Sequence, residues 1–167
     1  MKTCCFIGHR NVEKTPELCE KIRETVVLLI EKHNVQNFLF GSKSKFNSLC
    51  VEIVNQIKKQ YSKIKLTYFR SHFPYISQEY KNYLLEDFDD TLMPKGVENA
   101  GKASYVERNQ AMIKESDFCI FYFDENYQPP LRKLKKGFIA IQPKSGTKVA
   151  YDFALKTKKR IINLFTN

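Results

Sequence analysis

Short apolar runs that end in a turn residue alternate along this chain with longer stretches whose apolar positions recur every three or four residues. Lys2 to Ile7 is a run of the first kind and stops at Gly8, the pattern of a buried strand entering a turn. From Thr15 to about His33 the apolar residues Leu18, Ile22, Val26, Leu29 and Ile30 fall at helical spacing, with Thr15 placed as an N-cap and Pro16 at the first helical position. Asn37 to Phe40 predicts a second strand, ended by Gly41, and Phe46, Leu49, Cys50, Ile53, Val54 and Ile57 then predict a second helix. Ile64 to Phe69, rich in β-formers, predicts a third strand.

Between Ser71 and Lys102 the pattern breaks down. Tyr75 to Phe88 suits either a helix or two short turns, and Pro94, Gly96 and Gly101 mark irregular chain. Ala103 to Glu115 returns to helical spacing at Val106, Ala111 and Met112, with Ser104 and Glu107 in capping-box relation. Phe118 to Phe123, FCIFYF, is a continuous apolar run of the kind found in a central parallel strand. Gln128 to Lys144 carries three prolines and a basic cluster and reads as a long loop or insertion. Gly146 to Thr157 predicts the last helix and Ile161 to Phe165 the last strand.

Strands and helices in alternation, with strands apolar throughout, predict an α/β, Rossmann-like fold: a mainly parallel central sheet with helices on both faces. A length of 167 residues suits one domain, residues 1–167, with the basic insertion at about 128–144. In such sheets ligands sit beyond the carboxyl ends of the strands, where the strand order reverses. Four loops fall at strand ends or helix starts: Gly8-His9-Arg10, Gly41-Ser42-Lys43-Ser44, the Arg108-Asn109 stretch preceding FCIFYF, and Ser145-Gly146-Thr147 opening the last helix. Glycine lets backbone N–H groups approach an anion, and a helix N-terminus adds unpaired donors and partial positive charge. Ser145 and Thr147 add hydroxyls, and Arg10 or Arg108 can bind phosphate through paired charge-assisted bonds. Each segment also has a plainer explanation: a tight turn with a surface arginine, a helix cap, or an Arg108 ion pair with Glu115 or Asp117.

Composition narrows the picture. With 43% hydrophobic residues, 13 Phe and 9 Tyr, there is ample material for a core. No apolar run approaches the roughly 18 residues that span a bilayer, and MKTCCFIGHR meets charge too soon for a signal-peptide core, so a cytoplasmic protein without membrane attachment is expected. Five cysteines, an odd number scattered among apolar residues, predict reduced and mostly buried thiols. Cys4-Cys5 lacks a redox or zinc spacing, and no Cys/His cluster supplies four ligands, so no metal is expected. No cofactor is expected either, since the dinucleotide fingerprint and the P-loop are both missing from the sequence. The net charge of +10 is concentrated at Arg132, Lys133, Lys135 and Lys136 and at Lys156, Lys158, Lys159 and Arg160. Such runs form either a solvated face or a patch for phosphate-bearing partners.

His9 suits a hydrogen bond to a ligand better than acid–base work, although its ordinary pKa lies near neutrality. His33 and His72 stand in no motif and read as surface or turn residues.

CFIGHR, FLFGSKSKFN, YVERNQAMIKESDFCIFYFDE and SGTKVAYDFALKTKKRIINLF, in this order and over nearly the whole chain, resemble the YpsA-type branch of the SLOG superfamily. That superfamily includes the LOG phosphoribohydrolases and the Smf/DprA proteins. The resemblance implies a Rossmann-like fold with a pocket for nucleotides or their derivatives. Gly8 and Arg10 match the first-loop Gly-His-Arg, Gly41 and Ser42 the second glycine loop, Arg108 and Asn109 the helix Arg-Asn, and Ser145, Gly146 and Thr147 the last loop. The chain departs from its relatives at Lys45 and Asn47, where many carry a further glycine and an Asp, and at Ser145, which is more often glycine. The LOG enzymes place a glutamate soon after Gly-Thr, whereas here Lys148, Val149, Ala150 and Tyr151 follow, leaving Glu107 and Asp124 as the substitute catalytic candidates.

The expected function is therefore binding of a nucleotide or nucleotide-derived small molecule, as a sensor or a sequestering protein, with turnover the less favoured outcome. The alternatives are a LOG-like nucleotide N-glycosidic hydrolase and a single-stranded nucleic-acid binder, the latter using the basic charge with Tyr127 and Phe138 as stacking rings. Helix-face packing leaves a homodimer open, as relatives often form one.

Overall fold

In the computed structural model, which describes residues 1–133, 140–141 and 143–166, the strands are β1 (Lys2–Gly8), β2 (Val35–Phe40), β3 (Lys65–Phe69), β4 (Asp90–Leu92), β5 (Phe118–Tyr122), β6 (Arg132–Lys133), β7 (Ala140–Ile141) and β8 (Arg160–Asn163). The helices are α1 (Pro16–His33), α2 (Lys45–Lys58), α3 (Gln78–Leu85), α4 (Ser104–Glu115) and α5 (Gly146–Lys156). Six strands form one sheet in the order β4-β3-β2-β1-β5-β8, and every neighbouring pair is parallel. The chain moves outward from β1 to β4 on one side, then returns to β5 and β8 on the other. Strand order thus reverses between β1 and β5, the place where an open α/β sheet leaves a crevice.

Alternation along the strands sorts the core into two layers. Cys4 and Phe6 of β1, Phe38 and Phe40 of β2, Leu66 of β3, and Phe118 and Ile120 of β5 pack with α1 and α2. Cys5 and Ile7, Leu39, Phe69, and Cys119 and Phe121 from the same strands pack on the opposite face with Met112 and Ile113 of α4 and Ala150 and Ala154 of α5. The expected Rossmann-like α/β architecture, with a parallel sheet between helices, is thus the observed one. The thiols of Cys4, Cys5, Cys50 and Cys119 are buried, Cys19 is partly exposed, and all five are free.

Local chemistry sets most boundaries. Thr15 Oγ1 accepts from the Leu18 N–H as the N-cap of α1, and Asn34 closes that helix in the left-handed region with φ 55°. Ser44 and Ser145 cap α2 and α5 in the same way, accepting from the N–H groups of Asn47 and Lys148.

The chain from Ser71 to Lys102 holds α3, capped by Ser77, the short edge strand β4, and two 3-10 turns at Val97–Asn99 and Gly101–Ala103. Those turns overturn the capping box predicted at Ser104 and Glu107. The chain enters α4 already wound, so Ser104 is inside the helix at φ −52°, Ala103 is the N-cap without a side-chain bond, and the buried Ser104 hydroxyl has no partner among the described residues. The last strand begins one residue earlier than expected and ends two earlier, at Asn163, where Phe165 N–H turns back to the Asn163 Oδ1.

The insertion contributes the antiparallel pair β6–β7; Lys135, Lys136 and Phe138 lie outside the described residues. Lys156, Lys158 and Arg160 are exposed at the turn from α5 into β8, by the amino end of that strand and so on the far edge from the reversal point. No helix among the described residues is long and apolar enough to cross a membrane.

Candidate functional site

A cleft of about 380 Å³ opens at the carboxyl ends of β1 and β2, beside the reversal of strand order. All ten residues predicted to bind ligand line it: Gly8, His9 and Arg10 after β1, Gly41 and Ser42 after β2, Arg108 and Asn109 on α4, and Ser145, Gly146 and Thr147 at the start of α5. The first two loops are tied together, since the Lys45 N–H donates to the Arg10 carbonyl at 2.9 Å. The His9 N–H donates to the Tyr122 carbonyl at the end of β5. Arg108 and Asn109 lie in the second turn of α4, so they belong to a helix flank rather than to a loop.

Arg108 is the unusual residue. On α4 the buried positions are Ser104, Arg108, Met112 and Ile113, which places a guanidinium on the stripe that faces the sheet. Only 4% of Arg108 is exposed. Its Nε and Nη2 donate to Asn109 Oδ1 at 3.1 and 3.0 Å, and its guanidinium lies 5.5 Å from the Tyr105 ring centre. Those partners are neutral, and no ion pair to Arg108 exists among the described residues, so the Glu115 or Asp117 pairing is not what holds it. Burial lowers its pKa to about 10, with the Tyr68 and Tyr105 phenols opposing the shift, so the side chain remains a cation at neutral pH. A buried cation without a counter-charge is costly, and an anion in the cleft would relieve that cost.

The glycines make this arrangement feasible in different ways. A methyl group on Gly41 would sit 2.6 Å from Arg108 Cδ and Met112 Sδ, so the bare backbone is what lets Arg108 lie across the end of β2. At Gly8 the same group would meet the Phe46 ring, with Cγ at 2.6 Å and Cβ at 3.0 Å. Gly146 differs: a methyl group there would have nothing within 4 Å, and the backbone is ordinary helix. Protein packing therefore does not require glycine at 146. Gly146→Ala is expected to leave stability unchanged or raise it by up to about 1 kcal/mol, because alanine suits a helix better. The methyl is expected to lower affinity for whatever approaches the α5 N-terminus at least tenfold, as read by denaturation and titration side by side.

Two further polar groups lack partners among the described residues. His9 is 3% exposed; its Nε2 accepts from the Asp124 N–H at 3.0 Å, its ring lies 4.2 Å from that of Tyr127 at a tilt of 34°, and its Nδ1 has no hydrogen-bond partner among those residues. The bond at Nε2 puts the proton of the neutral ring on Nδ1, so His9 carries a buried spare donor. Asn47, buried at 1% exposure, lines the same cleft with its Oδ1 unpaired while its Nδ2 donates to the Phe6 carbonyl at 3.5 Å. In the sequence Asn47 stands out only by comparison with the family pattern the chain resembles; its spacing from Ser44, which caps α2, is the local signal that it would turn inward.

Burial holds the His9 pKa below the ordinary 6.5, and the nearby Asp124 opposes this only in part. Its folded pKa being depressed, the unfolded chain takes up a proton first on acidification. Stability is expected to fall as pH drops below about 6.5 and to level off below the folded pKa, an effect missing from His9→Gln in denaturant titrations from pH 8 to 5.

Neither carboxylate candidate reaches the cleft wall. Glu107 is exposed and lines a separate groove with Lys114 and Glu115, on another side of α4. Asp124 contributes its N–H to His9, and its Oδ1 accepts from the Asn126 N–H at 2.8 Å. No carboxylate lines the cleft among the described residues. None of them gathers three or more potential metal-ligating side chains. What the arrangement offers is cationic and hydrogen-bonding: Arg108, Arg10, Lys144, the α5 N-terminus and the hydroxyls of Ser42, Ser145 and Thr147. Compared with models of known protein families and with curated proteins, the chain matches none of either.

Proposed function

We propose that this cleft binds a phosphorylated nucleotide or nucleotide-derived small molecule and that the chain acts as a sensor or sequestering protein, a divergent relative of the YpsA-type branch of the SLOG superfamily. The observation that carries this is Arg108, a buried guanidinium without a counter-ion among the described residues, on the wall of a cleft at the reversal of strand order. A phosphate would supply the missing negative charge and accept from the hydroxyls and the first-turn N–H groups of α5. Phe6, Ile7 and Met112 give the floor an apolar part suited to a ring or sugar face.

The N-glycosidic reading is the weaker one, since Glu107 and Asp124 do not line the cleft and the glutamate expected after Thr147 is replaced by Lys148, Val149 and Ala150. A thermal-shift screen of nucleoside mono- and polyphosphates, nicotinamide dinucleotides and cyclic nucleotides is the direct test, because a ligand that binds only the folded state raises its melting temperature. A stabilising nucleotide whose effect disappears in Arg108→Ala supports the reading. No shift at millimolar ligand, or a shift that survives Arg108→Ala, overturns it. Base release from the same nucleotides would overturn the sensor role in favour of hydrolysis.

A further inference from the structure

A second cleft of about 370 Å³ adjoins the first, and the two share Arg10, Gly41, Ser42, Ser44 and Arg108. Arg108 therefore stands at the junction, with a cleft to either side. Beyond it the second cleft is built from the end of β3 and the loop that follows. The Arg70 N–H donates to the Leu92 carbonyl at 2.8 Å, which ties the strand end to β4. Its guanidinium Nη1 donates to the carbonyls of Phe73 and Pro74, while its buried Nε has no partner among the described residues. Phe73 is held at φ 59°, a left-handed conformation that a bulky residue rarely adopts.

Two features separate this cleft from an ordinary surface groove. Its walls include the rings of Tyr68, Tyr80 and Tyr105, and the exposed His72 ring lies 4.8 Å from that of Tyr105, tilted by 53° to it. Its charged residues are all cations: Arg10, Lys43, Arg70 and Arg108. With Lys144 the joined clefts hold five cationic side chains and no carboxylate among the described residues. One phosphate monoester, at about −1.5 to −2, balances less than half of that charge.

We propose that the second cleft is the subsite for a second planar ring, so that the ligand is two-ended, with a polyphosphate bridge passing Arg108 from one cleft into the other. This rests on the first cleft being a phosphate-binding site. The face of either His72 or Tyr105, tilted by 53° to each other, supplies the ring's platform, and Arg70 and Lys43 supply positive charge for the phosphates next to it.

The test is calorimetric titration of the full chain with adenosine monophosphate, diadenosine triphosphate and octathymidylate, on the natural sequence, His72→Ala, His72→Phe and Arg70→Gln. The expected result is at least tenfold tighter binding of diadenosine triphosphate than of the monophosphate. His72→Ala and Arg70→Gln abolish that advantage with monophosphate affinity kept within twofold, and His72→Phe, which keeps a ring, retains most of it. His72 is exposed, so its variants are expected to fold, and circular dichroism verifies that. Equal affinity for the two adenosine ligands, or indifference to His72→Ala, overturns the second subsite while leaving the first cleft as proposed. Tight, salt-sensitive binding of octathymidylate alone overturns it in favour of single-stranded nucleic acid. Binding of none of the three overturns this proposal and the function it rests on together.

Discussion

Replacing Arg108 by methionine is expected to stabilise the ligand-free protein and, in the same variant, to remove nucleotide binding. Methionine keeps the length and apolar stem of the side chain beside Met112 and Gly41 but deletes a charge that is 4% exposed and hydrogen-bonded only to neutral groups. Exchanging buried ionic groups for apolar ones of similar volume has stabilised other proteins by about 1–4 kcal/mol. The lower half of that range, about 1–2 kcal/mol, is expected here, because the lone acceptor Asn109 Oδ1 loses its partner. For a chain of this size that corresponds to a rise of roughly 2–8 °C in melting temperature. Affinity for the phosphorylated ligand is expected to fall at least a hundredfold, about 2.8 kcal/mol. Paired melting and titration curves measure both, and a variant that melts lower while binding as before would make Arg108 a structural residue.

Gly8→Ala is expected to destabilise the fold by roughly 3 kcal/mol, the upper part of the overpacking range. The added methyl meets Phe46 at its Cγ and Cβ, the root of the side chain rather than its tip, so the ring cannot swing clear. Phe46 is fully buried and its ring also packs against Tyr122 at 5.7 Å. Urea denaturation of Gly8→Ala reads the loss directly. Gly41→Ala makes a useful contrast, since its obstacle is the movable outer part of Arg108. Met112 Sδ stands at the same distance and is likewise the outer part of a flexible side chain, so that variant is expected to fold with Arg108 and Met112 displaced and to lose ligand more than it loses stability.

The parts of the molecule legible in the sequence are those with strong local signals. The runs at β1, β2 and β5 alternate between two cores because both faces of the sheet are covered, and the glycines that end the first two strands mark the cleft. Ser145 and Thr147 signal a helix start, and Ser145 does cap α5 while its neighbours line the cleft. β4 gives no signal because it has three residues, begins with Asp90 and sits at the sheet edge, where burial imposes little pattern. Ser104 has the right spacing for a capping box, but the preceding 3-10 turns have already begun the winding. His72 looks like an ordinary turn residue because its significance is non-local: Tyr105, the ring beside it, lies on another element. The burial of Arg108 is likewise invisible in a helix whose other charges are solvated, since it depends on Gly41 from a different strand.

The alternation of the sheet also separates two atoms that the chain holds side by side. Cys4 faces the α1–α2 layer with Cys50, and Cys5 faces the α4–α5 layer with Cys119. A thiol reagent added to the folded protein is expected to modify Cys19 quickly and the four buried thiols only through opening of the structure, with Cys50 and Cys119 each reporting on one layer. The chain thus carries built-in clocks on both sides of its sheet. Mass-resolved labelling would show whether ligand slows the two layers together or quiets first the α4–α5 side, where Arg108 lies.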